Sequence, residues 1–98
     1  MTDPAKLQAI GAIEELKPQI EDAKEKRNRL IDRLVDSLNR LRDDSAAYTH
    51  DCDASQVADA ARRITEAQRA LMDLVNERNA HADRANRPRL VTRAIVIA

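Results

Sequence analysis

The only cluster of side chains able to hold a metal ion or present a nucleophile is His50-Asp51-Cys52-Asp53, with His81 far along the chain. A zinc site closed by protein draws four ligands from separated positions, and adjacent residues of one turn cannot surround an ion. The run therefore reads as a polar turn carrying an incidental thiol, and no metal site is assigned. The acid pairs Glu14-Glu15 and Asp43-Asp44 are the next candidates. Acid and base catalysis needs carboxylates in contrasting environments within a cleft. On long helices such acids are solvated and pair with Lys or Arg three or four positions away. Gly11 is the sole glycine, so there is no phosphate-cradling loop, and no nucleophile motif is present. The expectation is a non-enzyme with no catalytic residue and no cofactor.

One further group could do chemistry of a different kind. Arg84, Arg87, Arg89 and Arg93 follow one another with no acid after Asp83, and arginines on a chain end can contact phosphates without reading sequence. No stacking aromatic accompanies them, which weakens a single-strand reading. The whole chain has 17 basic and 17 acidic residues, so it carries no global field toward nucleic acid or an anionic membrane. Nucleic-acid binding through these four residues is the alternative reading, not the favoured one.

The elements that must position these residues follow from composition. In 98 residues there are one glycine, three prolines and one aromatic, Tyr48, beside a charged fraction of 35%. That profile belongs to long amphipathic helices, because sheets and loops need far more turn residues. The fold class is all-α. Met1-Thr2-Asp3-Pro4 puts a capping side chain before a proline, which starts a helix at about residue 4. Ile13, Leu16, Ile20, Ala23, Leu30, Leu34 and Leu41 then recur at helical steps, interrupted by Arg27 and Ser37. Pro18 lies inside this run and should kink or break it, a kink being preferred because the apolar seam keeps phase.

Residues 43–53 lose the apolar period and are dense in Asp, Ser and Thr, so they form the turn. Asp53 with Gln56 resembles a capping box for a second helix starting at about residue 54. Its seam runs Val57, Ala61, Ile64, Gln68, Leu71, Val75, Arg78, Ala82, Ala85, and Pro88 stops it. Helices over about 4–42 and 54–86 with a short connection make a long antiparallel, coiled-coil-like hairpin over residues 1–88. Ile31, Val35, Leu38, Met72 and Leu74 flank the seam, and two helices alone cannot cover stripes that wide. Self-association into a helical bundle, with a dimer favoured, would supply the missing layer.

Residues 89–98 differ from everything before them. Leu90, Val91, Ile95, Val96 and Ile97 are rich in β-branched types and follow an X-Pro junction, which suits an extended docking segment. Ile95 and Ile97 fall on one side of such a strand and Val96 on the other. One cysteine and no long apolar run indicate a protein that is not secreted and does not span a membrane. The sequence thus suggests an interaction or assembly protein, cytoplasmic or built into a virion, by analogy a small component of a phage or bacterial complex.

Overall fold

A computed structural model describes residues 3–97. Two helices, α1 over Pro4–Leu41 and α2 over Ala54–Arg84, pack against each other as an antiparallel hairpin. Asp3 caps α1. Its Oδ1 accepts the Ala5 amide at 3.0 Å while its carbonyl accepts the Leu7 amide at 3.1 Å, which satisfies donors that have no partner within a helix's first turn. α1 runs unbroken through Pro18, so of the two outcomes expected at the proline the break does not occur. One turn of lost amide is outweighed by the packing of Leu16 and Ile20, both buried on either side of it.

α1 ends at Leu41 and residues 42–53 form the connection. Asp53 then caps α2, with Oδ1 accepting the Ser55 amide at 2.9 Å and the Gln56 amide donating to its carbonyl at 3.0 Å. The Ser55 amide, with the Ser55 side chain, holds the Asp53 carboxyl below its ordinary value of 3.8. The C-terminal stop differs from the one expected. α2 ends at Arg84, two residues earlier, because Asn86 adopts a left-handed φ of 54°. The Arg87 amide reaches the Ala82 carbonyl at 2.8 Å and the Asn86 amide reaches Asp83 at 3.3 Å, the paired bonds of a Schellman cap. Asn tolerates this conformation better than most residues, and Pro88 only prevents the helix from resuming.

By contacts the chain divides into two compact units, Met1–Ile20 with Met72–Ala98, and Glu21–Leu71. In the first, the tail-bearing unit, the core is Ala9, Leu16, Ile20, Val75, Asn79, Ala82 and Ala85. Ala82 and Ala85 are 0% and 1% exposed, the small side chains allowing backbones to approach closely. In the second, the loop-bearing unit, only Ala67 and Leu71 are buried among the described residues, and Leu30, Leu34, Leu41, Val57 and Ile64 are half-buried. The expected seams hold with one exception. Ala61 is exposed and its neighbour Ala60 is turned inward instead, because the inward face of α2 follows Val57, Ala60, Ile64, Ala67 and Leu71.

Candidate interaction surfaces

The end of α2 holds the root of the C-terminal segment through side-chain bonds to main chain. Asn79 is 6% exposed, and its amide mimics the edge of a strand. Nδ2 donates to the Leu90 carbonyl at 3.1 Å, and Oδ1 accepts the Leu90 amide at 2.8 Å. Arg78 Nη1 donates to the Pro88 carbonyl at 2.7 Å. Arg89 Nε pairs with Asp83 Oδ1 at 3.3 Å. Pro88 and the Arg87 junction before it favour extended backbone, so the segment leaves the Schellman cap already straight. Three consecutive residues, Pro88 to Leu90, are fastened to α2 in this way.

Beyond Leu90 the character changes. Val91 is 81% exposed, and Ile95, Val96 and Ile97 are more exposed still, up to 93%. Residues 87–97 are neither helix nor strand. Of the five apolar tail residues expected to dock on a partner, Leu90 has its backbone bonded within the chain, while Val91, Ile95, Val96 and Ile97 present their side chains to solvent. Asn79 was not singled out by sequence, since a polar residue on an apolar seam gives no sign of a partner eleven positions later. Asn86 just past the helix and two residues before Pro88 was a readable stop signal.

The flanking residues separate by unit. Ile31, Val35 and Leu38 on α1 are exposed, between 37% and 48%, whereas Met72 and Leu74 on α2 are half-buried. The exposed stripe therefore lies in the loop-bearing unit. That unit also holds two adjoining hollows. One, of about 180 Å³, is lined by Leu30, Leu34, Leu38, Leu41, Val57 and Ala60 together with Arg33, Arg63 and Cys52. The other lies among Ala23, Lys26, Leu30, Arg63, Glu66, Ala67 and Ala70. Leu30 and Arg63 border both.

The arginines that interrupt the seams each find a neutral acceptor. Arg27 Nη1 donates to Gln68 Oε1 across the helix pair at 3.0 Å, and its other nitrogens donate to Asn28 Oδ1. Arg78 holds the Pro88 carbonyl. Neither is paired with a buried acid. Among the candidate phosphate contacts, Arg89 is engaged by Asp83, Arg84 Nη1 lies 3.4 Å from His81 Nδ1, and Arg87 lines a hollow with Ile10, Ile13 and Pro88. Arg93 lies in the exposed stretch.

The His50-Asp51-Cys52-Asp53 run is structural where it is ordered by bonds. Asp43, half-buried, accepts the His50 amide at 2.8 Å, His50 Nδ1 at 3.0 Å and Thr49 Oγ1 at 3.3 Å. The His50 amide, first among these, keeps the Asp43 carboxyl below its ordinary range. The Tyr48 ring meets His50 edge-on with centroids 5.4 Å apart. Asp43 thus ties the start of the connection to its middle, a role hidden in sequence behind its neighbour Asp44. Cys52 is exposed. Among the described residues no group of three or more His, Cys, Asp or Glu is placed to hold a metal ion, and no helix is long and apolar enough to cross a membrane. Comparison with protein-family models, with curated proteins and with solved structures finds no match to this chain.

Proposed function

We propose that this chain is a non-enzymatic interaction and assembly protein that engages other protein surfaces, with residues 91–97 as its docking segment. One observation carries this reading. The backbone of Leu90 is fixed by both polar atoms of Asn79, and immediately after it four large apolar side chains stand in water. A segment with no use for a partner would not be expected to combine a secured root with so apolar a continuation. Each such side chain gains roughly 1.5–3 kcal/mol when fully buried, set against about 1–2 kcal/mol for each residue whose backbone is ordered. Apolar contact alone is therefore close to break-even. Main-chain hydrogen bonds to an open sheet edge would tip the balance, and alternating side chains would give selectivity.

The exposed stripe Ile31, Val35 and Leu38 supports self-association as a second part of the same reading, a dimer whose copies cover each other's α1 flank. The tail is tested by placing a photo-reactive residue at Thr92 in the native host. A discrete protein adduct is expected, and it should disappear when Ile95 and Ile97 are both replaced by Ser. Adducts unchanged by those replacements, or none at all, would refute the docking role. Sedimentation of the purified chain at micromolar concentration tests the dimer, and a monomer there refutes it.

A further inference from the structure

We propose that the two adjoining hollows of the loop-bearing unit form one groove that receives an acidic amphipathic helix from a different protein. The floor is apolar, built by Leu30, Leu34, Leu41, Val57 and Ala60. Its extension is floored by alanines, Ala23, Ala67 and Ala70, which permit close approach of a third helix. Among the described residues this unit has two helices with half-buried leucines and no third layer. Helix-in-groove recognition uses that arrangement, the guest supplying apolar anchors at i, i+3 or i+4, and i+7.

Charge selects the guest. The chain as a whole is balanced, yet the described residues bordering this groove include three cations, Lys26, Arg33 and Arg63, and one carboxylate, Glu66. Asp59, nearby on α2, is already paired with Arg62. A second copy placed groove to groove about a two-fold axis would set those cations against themselves. The chain's own C-terminal segment fits no better, since Arg89 and Arg93 precede its apolar end. A helix with leucine anchors and glutamates beside them satisfies both the floor and the rim. Ile31 and Val35 do not line the groove, and the α1 flank proposed for self-association meets it at Leu38 alone.

The test uses the full chain and two synthetic helical peptides with the same leucine spacing, one carrying glutamates beside the anchors and one carrying lysines. Titration followed by fluorescence anisotropy should give binding of the acidic peptide in the micromolar range, about tenfold or more tighter than the basic one, weakening with added salt. Arg33 and Arg63 are exposed, so Arg33→Glu with Arg63→Glu should keep the helical circular dichroism and reverse the preference. A chain ending at Leu90 should bind the acidic peptide unchanged, which separates this groove from the tail. Equal binding of the two peptides, or no binding of the acidic one at micromolar concentration, overturns the proposal. So does a double variant that alters the chain's own sedimentation while leaving peptide preference intact, because the groove would then belong to a second copy.

Discussion

The tail-bearing and loop-bearing units are built from the same two helices with the same seam spacing, yet they bury their residues very differently. Among the described residues, seven of the nine that are buried lie in the tail-bearing unit, which locates the cause outside the seam itself. What that unit has in addition is a third segment: residues 87–90 return along α2 and are held by Arg78, Asn79 and Asp83. The loop-bearing unit has only the helix pair and a connection tied by Asp43. A two-helix seam reaches half-burial, and a third layer is needed to close it. The same contrast underlies the two proposals. One unit fastens a segment and presents its continuation, and the other leaves a groove unfilled.

The contrast is broken most severely by adding volume. Ala82→Leu in the closed unit should cost about 1–3 kcal/mol through overpacking, or roughly 4–8 °C in melting temperature for each kcal/mol at this size. Ala60→Leu, in the open groove, should leave the melting temperature level or raise it. Equal losses at both positions would mean that the two units are equally packed. Next in size is Asn79→Ala, which leaves the Leu90 amide and carbonyl without partners and should cost about 1–3 kcal/mol by thermal or denaturant unfolding.

The two seam arginines sharpen the comparison further. Arg78→Leu removes a charged donor from the Pro88 carbonyl and should lower stability by about 1 kcal/mol. Arg27→Leu frees only a neutral Gln68 amide that water can reach, so its effect should stay within about 0.5 kcal/mol. A large loss for Arg27→Leu would show that its bond to Gln68 is a structural requirement. The smallest expected effect is on acidification. Asp43 and Asp53, both in the loop-bearing unit, have carboxyls held below the ordinary 3.8, so their stabilising contribution is complete above that value. It is lost as the pH falls through their lower folded-state values. Amide exchange at His50 and Ser55 should accelerate there, and unchanged protection would count against both carboxylate–amide bonds.

Much of this architecture was legible in the sequence. Helical spacing gave both seams, Asp3-Pro4 and Asp53 gave the helix starts, and the β-branched run after Pro88 gave a tail that is not helical. Ala9 and Ala67 escaped notice because alanine carries little hydrophobic signal, although its size is what permits burial at a close helix contact. Asn79 escaped for a different reason. Its partner is a backbone amide, which has no residue type to recognise, and it lies across a chain reversal whose geometry depends on the left-handed Asn86. The difference between the units was not legible either, since it comes from where the third segment lies and not from the seams.

Hydrogen exchange on the free chain, at a concentration where it is monomeric, tests most directly that one unit secures the root of the tail and leaves its apolar end free. The Leu90 amide, bound by Asn79 Oδ1, should be protected with the last turns of α2, while amides from Val91 to Ile97 exchange at the rate of an unstructured peptide. Protection extending through residues 91–97 would show the tail folded into its own chain, and a Leu90 amide exchanging as fast as Ile97 would show that the root is not held.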